Sequence, residues 1–409
     1  MESLEKIFNR IEEFRDEMID LQIRLCGLPA ISPKSGGEGE VKKAEFLLDF
    51  LKDKGYETIE VVKAPDLDTP AGYRPNIMAT YKGHNSSKTI WIMTHLDVVP
   101  PGELSLWKGN PFKAWVEGGK IFGRGVEDNQ QDMVASIFAV EAFRAERILP
   151  NYNVGLLMVA DEETGSEKGI HFVLQNNSYF KKDDLIIVPD AGNPQGTMIE
   201  VAEKSILWLK FIIQGQQAHA STPEKGINAF RAGSALVVEL DSLYKIFSAR
   251  NSLFDPPIST FEPTKKETNV PNINTIPGED VFYLDCRLLP ECSIEEVEEE
   301  IKRIIKKVEN QYQVQIHWQE EQRTTAAPPT SAEAPVVKAL QQAIQAVYKV
   351  AGKPVGIGGG TVASFFRENN FEAACWSKVD DTAHQPNEYC IIDNMIGDAK
   401  VFAHIFLQD

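Results

Sequence analysis

Apolar and polar positions along the chain alternate between two periods, and the changes of period mark out its elements. Residues 3–26 place Leu4, Ile7, Phe8, Ile11, Phe14, Met18, Leu21 and Leu25 at helical spacing. That predicts one amphipathic helix, ended by Pro29 and the Ser32-Pro33 pair. A second helix is expected over about Val41–Lys54, after the Gly36-Gly37 turn. Strands are expected near Thr58–Val62 and Ile77–Tyr81. Thr89–Met93, Asn153–Ala160 and Asp184–Val188 are nearly unbroken apolar runs, as in strands buried on both faces. A helix over Asp132–Arg147 lies between the first two of these runs. Strands alternating with helices indicate an α/β sheet.

From Lys204 the pattern changes. Ile206–Gln214 reads as a strand, Gly226–Phe247 as a helix, Asn272–Ile276 as a short strand and Asp280–Leu288 as another. Ser293–Glu309 is a charged amphipathic helix and Gln313–Trp318 a strand. The order β-α-β-β-α-β is the split, ferredoxin-like arrangement. It forms an insertion of domain size, and Ala326-Ala327-Pro328-Pro329 marks the return. Helices follow near Ala332–Val350 and Thr361–Glu368, then a strand at Glu372–Trp376 and a closing helix. The expected domains are 1–204 with 322–409, and 205–321.

Chemistry gathers where the apolar runs stop. Thr94-His95-Leu96-Asp97 ends the first, and residues i and i+2 of extended backbone share a face. Open α/β sheets bind ligands at such strand ends. Asp161-Glu162-Glu163 follows the second run, and Pro189-Asp190 ends the third. Three consecutive carboxylates after a core strand repel each other and lose water unless a cation or hydrogen bonds compensate. Gly123-Arg124-Gly125-Val126-Glu127-Asp128 is a turn that brings a carboxylate to a helix start. Plainer readings stand beside these. Asp128 at a helix start can satisfy free amides, and a charge run can be merely solvated. The Gly-Arg-Gly turn lacks the Gly-Lys-Ser/Thr of a phosphate loop and is followed by acidic residues.

Seven histidines need sorting. His84 and His171 lie in polar surroundings, and His317 and His404 lie on element faces. His95, His219 and His384 sit in turns or at strand ends and are the candidates. His95, Asp128, Glu163, Asp190 and His384 form a mixed nitrogen and oxygen donor set that suits zinc, and also cobalt or manganese. Five groups exceed one catalytic zinc with an open position, and suffice for two cations sharing a bridging carboxylate. Two divalent cations, three carboxylates and one hydroxide balance in charge. Metal pairs about 3.5–4 Å apart lower the pKa of a water and polarise a carbonyl, which leaves Glu162 free as the base.

Composition narrows the alternatives. A chain of 409 residues is too long for one ordinary core. Its formal net charge of -18 argues against nucleic acid and anionic membrane as partners. Five cysteines (Cys26, Cys286, Cys292, Cys375, Cys390) form no C-x-x-C pair and read as reduced thiols. The charged N-terminus is not a signal peptide and no apolar run reaches membrane-spanning length, so a cytoplasmic protein is expected.

In this order, Thr94–Asp97, Gly123–Asp128, Asp161–Ser166, Asp190 and the His384 turn resemble the M20 metallopeptidase and deacylase family. That family includes acetylornithine deacetylase, succinyl-diaminopimelate desuccinylase and several dipeptidases. Gly215-Gln216-Gln217-Ala218-His219-Ala220-Ser221-Thr222-Pro223 with Gly226-Ile227-Asn228-Ala229 is similar to its lid-domain signature. The resemblance covers essentially the whole chain. It implies a zinc-exopeptidase-like α/β/α catalytic domain with an inserted ferredoxin-like α+β lid and dimerisation domain.

The resemblance also implies roles. His95 and Asp190 hold one divalent ion, Glu163 and His384 the other, and Asp128 bridges, followed by a cis peptide bond. Zinc is the expected metal. Asp97 orients His95, and Glu162 is general base and then general acid. His219 reaches the partner subunit's site and stabilises an oxyanion, which implies a homodimer. Asn274, Arg287, Gly360 and Thr361 bind the substrate's carboxylate, with a strand-face salt bridge as the alternative for Arg287. The expected substrate is a small dipeptide or N-acyl amino acid. Two departures stand out. Asn129-Gln130-Gln131-Asp132 replaces the family's frequent Asp/Met-Lys-Gly run, and Asp190 stands where deacetylases tend to have Glu, which tilts towards short peptides. A binding protein of the same fold is the alternative from another class. A serine or cysteine hydrolase lacks any Gly-x-Ser-x-Gly elbow or partnered cysteine.

Overall fold

The computed structural model describes residues 2–56, 58–176 and 178–408. Met1, Glu57, Asn177 and Asp409 lie outside them, including both outer limits of the expected catalytic domain. The chain divides into two compact units. Unit 1 is Met1–Val201, Thr330–Val355 and Thr361–Asp409, and unit 2 is Ala202–Pro329 with Gly356–Gly360. The insertion thus runs a few residues beyond 205–321 on each side, and a glycine loop from the returning chain joins it.

Unit 1 begins with helices α1 (Glu2–Glu13), α2 (Arg15–Cys26) and α3 (Val41–Asp53). The single helix expected over 3–26 is two, joined at Phe14, whose ring packs on Phe138 at 5.4 Å. Strands β1 (Thr58–Pro65), β2 (Tyr73–Tyr81) and β3 (Asn85–His95) follow. After two short strands, β4 (Trp115–Glu117) and β5 (Lys120–Phe122), come α4 (Gln130–Glu146), β6 (Tyr152–Val159), α5 (Ile170–Asn176), β7 (Leu185–Gly192) and β8 (Met198–Glu203).

Unit 2 contains β9 (Ser205–Gln214), β10 (Ala218–His219), α6 (Ala229–Leu240), α7 (Leu243–Ile246), β11 (Thr260–Lys266), β12 (Thr275–Ile276), β13 (Glu279–Leu288), α8 (Ile294–Tyr312) and β14 (Gln315–Thr324). The chain closes with α9 (Pro335–Tyr348), β15 (Lys353–Ile357), α10 (Ala363–Glu368), β16 (Ala373–Ser377), β17 (Tyr389–Ile391) and α11 (Ile392–Phe406).

The main sheet has eight strands in the order β1-β2-β6-β3-β7-β16-β8-β15. Its centre, β6-β3-β7-β16, is parallel. Parallel neighbours are covered on both faces, which is why these strands read as continuous apolar runs. Trp91, Met93, Leu157, Val159, Ile186 and Val188 face one layer with α5 and α10. The alternate residues Ile90, Ile92, Leu156, Met158 and Ile187 are buried facing the other way. There α4 lies against β3 and β6, with α1, α2 and α11 packed on α4, and α9 on α11. This is an α/β/α layered unit.

Unit 2 has a four-stranded antiparallel sheet, β11-β13-β9-β14. Leu207, Leu209, Phe211 and Ile213 on β9 and Phe282, Leu284, Cys286 and Leu288 on β13 bury one face under α6 and α8. The sequence placed the fourth strand of this sheet at Asn272–Ile276. Instead Thr275–Ile276 pairs with Ala218–His219 in a separate ribbon, and Thr260–Lys266 is the sheet strand. It lies at an edge, only Phe261 in it is buried, and it carries Pro263 at a bulge. Such a strand has no apolar alternation to read. The helix expected over Gly226–Phe247 starts later, because the Asn228 side chain caps it by accepting from Arg231 N at 3.0 Å. It is interrupted at Asp241-Ser242, where Ser242 Oγ donates to the Glu239 carbonyl at 2.7 Å.

The sheet leaves no room at one register position. Trp91 on β3 lies opposite Gly155 on β6, and a Cβ at 155 would stand 2.2 Å from the indole. The indole is held in place, because its Nε1 donates to Asp184 Oδ2 at 2.9 Å and it meets the Phe180 ring in a T-shaped contact at 5.1 Å. Gly155→Ala should therefore destabilise the protein by about 1–3 kcal/mol through overpacking. Urea unfolding should show a lower midpoint with an unchanged slope, whereas an unaltered midpoint would mean that the ring has space to shift.

Candidate metal centre

Parallel strands that start together also end together. The carboxyl ends of β6, β3 and β7 therefore present Glu162 and Glu163, His95, and Asp190 along one edge of the sheet. The loop after β16 brings His384 to the same edge, and the turn before α4 brings Asp128.

The six side chains converge. His95 Nε2 lies 2.9 Å from Asp128 Oδ1 and 3.4 Å from Asp190 Oδ1. His384 Nε2 lies 3.1 Å from Asp128 Oδ2 and 3.0 Å from Glu163 Oε2. The two oxygens of Asp128 thus face different histidines. Ligand atoms of His95, Asp128 and Asp190 fall within 4.8 Å of one another, as do those of Asp128, Glu163 and His384. His95, Glu162 and Glu163 form a third such group. Exposure is graded across the centre. His95 is 1% exposed and His384 54%, so the centre opens to solvent on the His384 side.

Each group is held from behind. One backbone contact orients the His95 ring: Nδ1 donates to the Asp97 backbone carbonyl at 3.1 Å, which leaves Nε2 as the nitrogen that faces the carboxylates. The Asp97 carboxylate is 3.7 Å from Nδ1 and accepts from the backbone amides of Glu162 and Glu163, both at 3.1 Å. It therefore fixes the Glu162-Glu163 turn as well as the ring. The Asp128-Asn129 peptide is cis. Asn129 Oδ1 accepts from His95 N at 3.0 Å and its Nδ2 donates to Asp190 Oδ1 at 3.3 Å.

The run Asp161-Glu162-Glu163 splits into two kinds of carboxylate. Asp161 is fully buried, with positive φ, and accepts from Arg74 Nη1 at 3.3 Å and from Lys168 N at 3.0 Å. Arg74 also forms a bidentate pair with buried Glu40. That local compensation leaves Glu162 and Glu163 to face the centre. Sequence reasoning missed Arg74, Glu40, Glu127, Arg124 and Glu388. Each is an ordinary charged residue in the sequence, and only the fold shows that all five are buried.

The titrating groups respond to this crowding. Burial raises Glu162 well above the ordinary carboxylate range, and the charge of Asp190 adds to the effect. Burial also pushes Asp97 up to about 7. Asp128 goes the other way. Although burial opposes its charged form, hydrogen bonds from His384 and His95 hold it well below the usual range. Hydrogen bonds to Asp128 and Glu163 raise His384 to about 10. His95 is held well above its usual value by Asp128 and Asp190, against the burial that disfavours its charge.

The donor set fits divalent cations. Imidazole nitrogens and carboxylate oxygens converge at ligand spacing, and each imidazole now sits among anions as a proton-bearing stand-in for positive charge. Unit 2 supplies all but one of the other candidates. His219 is exposed on β10, opposite Thr275 of β12, and its Nδ1 lies 2.8 Å from Ser221 Oγ. Asn274 adjoins it, its carbonyl accepting from Ala220 N at 2.9 Å. Arg287 on β13 forms an ion pair with Asp285 on its own strand, Nε to Oδ1 at 2.7 Å, and donates to the Gly358 carbonyl at 2.8 Å. Gly360 ends that glycine loop. Thr361 belongs to unit 1, where its hydroxyl lies 3.4 Å from Cys375 Sγ.

The chain matches the family model for peptidase family M20/M25/M40 over residues 91–408. It is 40% identical over 406 residues to an uncharacterized metallohydrolase of Methanocaldococcus jannaschii, covering 95% of this chain and 98% of the relative. Identity to the succinyl-diaminopimelate desuccinylase of Coxiella burnetii is 26% over 388 residues, covering 92% and 95%. Among solved structures, the di-peptidase Dug1p of Saccharomyces cerevisiae superposes with a TM-score of 0.72 at 19% identity, covering 98% of both chains. On these matches and the geometry above, the chain is a metal-dependent hydrolase belonging to peptidase family M20/M25/M40.

Proposed function

We propose that the protein hydrolyses an amide bond in a small dipeptide or N-acyl amino acid, using two divalent cations with Glu162 as general base. The observation that carries this reading is the shared carboxylate. Asp128 presents one oxygen to each histidine, so two three-ligand groups meet at one residue. His95, Asp128 and Asp190 would hold one cation, and Asp128, Glu163 and His384 the other, with zinc as the expected metal. Bound there, such ions supply Lewis acidity towards a water and an amide carbonyl.

The chain's own groups do the rest. Glu162 takes the proton of the attacking water and returns it to the leaving amine. A carboxylate beside the centre that is in neither His384's nor Asp190's ligand group is free for both halves of that transfer. Asp97 fixes the backbone of Glu162 and, through its carbonyl, the tautomer of His95. His219, from a second copy of the chain, stabilises the oxyanion. Asn274, Arg287, Gly360 and Thr361 receive the substrate's carboxylate, with Arg287 exchanging its present partners for it. Asp190, in place of Glu, favours a short peptide. The likeness to a succinyl-diaminopimelate desuccinylase favours the second reading, an N-acyl amino acid deacylase. A screen of dipeptides against acetylornithine and succinyl-diaminopimelate separates the two. Hydrolysis of none by the metal-loaded protein would favour a binding protein.

Three outcomes test the mechanism. Glu162→Gln should lower kcat by about 10²–10⁴-fold or more, as for loss of a general base, with metal content by elemental analysis unchanged. Full activity in that variant would remove Glu162 from the role. Secondly, both histidines are protonated near neutral pH in the metal-free protein, since their affinities for protons are raised. Each must lose its proton before Nε2 can donate to a cation. Apparent metal affinity should therefore fall as pH falls from about 8 to about 6, by about tenfold per unit for each proton displaced. Calorimetric titration at several pH values measures the slope, and a flat profile would exclude the histidines as ligands. Thirdly, Glu162→Gln and His219→Ala, each inactive alone, should recover about a quarter of wild-type activity when mixed and allowed to exchange subunits. Only a mixed pair then contains one site with both residues. No recovery despite exchange would place His219 outside the partner subunit's site.

A further inference from the structure

Two buried carboxylates outside the ligand groups are exchanged between the loops that carry the ligands. Glu388 follows His384 by four residues and is fully buried. Its Oε1 accepts from the backbone amides of Glu127 and Asp128, at 2.9 and 3.2 Å. Its Oε2 accepts from Gly125 N at 3.1 Å and Arg124 Nη1 at 2.6 Å. Arg124 Nη2 then donates back to the His384 carbonyl at 3.3 Å. In the opposite direction Glu127, one residue before Asp128, accepts from Asp380 N at 2.7 Å, from the Thr382 hydroxyl at 2.7 Å and from Thr382 N.

The other bonds of the His384 loop run elsewhere than to Asp128: Asn387 Oδ1 accepts from Lys108 N at 2.7 Å and its Nδ2 donates to the Leu106 carbonyl at 2.8 Å, while Tyr389 pairs with Phe122. Asp381, His384 and Asn387 all have positive φ, a backbone that propagates no regular pairing. The His384 side chain is half exposed, so packing does not hold it. Asp128, in contrast, has separate anchors on the sheet side. Asn129, the residue after it, accepts from His95 N and donates to the Pro189 carbonyl, and Gln130 N donates to the Gly125 carbonyl at 3.2 Å.

We propose that Glu127 and Glu388 are positioning residues that set the distance between Asp128 and His384. They thereby govern the Asp128–Glu163–His384 cation group and leave the His95–Asp128–Asp190 group to the strands. This rests on the two-cation reading above. A neutral amide cannot replace either carboxylate. Glutamine puts an NH2 group where amide donors already point, so donor faces donor.

The test is a titration of metal-free full-length protein with Co2+, followed by calorimetry and by the visible absorption of the bound ion. Wild type should take up two equivalents. Glu388→Gln and Glu127→Gln should keep the first and weaken the second by about 10–100-fold, the usual effect of losing a group that orients a ligand. Their profiles should match that of His384→Ala, which removes the second group's ligand directly. Thr382→Val, which keeps the backbone bond to Glu127 but loses the hydroxyl's bonds to Glu127 and to the Tyr389 amide and carbonyl, is the milder variant and decides the matter if the glutamine variants do not fold. Equal weakening of both equivalents, or no weakening, overturns the positioning role. Fewer than two equivalents in the wild type overturns the two-cation reading itself, an outcome visible before any variant is made.

Discussion

Negative charge gathered at the end of a buried sheet is the constraint on which this structure turns. Asp128, Glu162, Glu163 and Asp190 approach one another over a few ångströms at the carboxyl edge of β6, β3 and β7. Like charges about 4 Å apart repel by about 4 kcal/mol at an effective dielectric of 20, and four of them with little water cannot all stay charged unaided. Two histidines among them hold protons tightly, and Glu162 is pushed towards its neutral form. These are the responses of a site shaped for positive charge that protons supply only in part.

The scaffold holds the crowding in place by bracing these side chains with residues outside the cluster. Asp97 anchors the Glu162-Glu163 turn and, through its carbonyl, His95. Arg74 with Glu40 compensates Asp161, which keeps the third carboxylate of that run out of the centre. Asn129 joins the backbone of His95 to the side chain of Asp190. Because the braces come from different strands and loops, the ligand positions are set by the fold rather than by any one local sequence.

That division explains what the sequence made legible. The candidate ligands stand out because each ends a continuous apolar run or sits in a turn, so periodicity directs attention to His95, Glu163 and Asp190 and residue chemistry does the rest. The α/β sheet could be read for the same reason. The braces could not. Glu388 is placed by β17, a three-residue strand that pairs Tyr389 with Phe122 and so brings the His384 loop against the Gly123–Asp128 turn. Strands that short carry no period. The edge strand Thr260–Lys266 was invisible for a related reason, being polar at all but one buried position and interrupted by Pro263. Its place in the expected sheet was given to Thr275–Ile276, which is more apolar and lies in the ribbon with His219.

The departure at Asn129-Gln130-Gln131-Asp132 takes on a different meaning once the burial of these side chains is known. All four are buried, so none offers its side chain to a substrate arriving from solvent. Asn129 braces His95 and Asp190. Gln131 Nε2 donates to Asp398 Oδ2 at 2.8 Å, and Asp132 Oδ2 accepts from Ser377 Oγ at 2.5 Å. These bonds fasten the start of α4 to α11 and to the end of β16, the strand that leads into the His384 loop. Replacing a lysine-containing run there changes how the two sides of the centre are tied together.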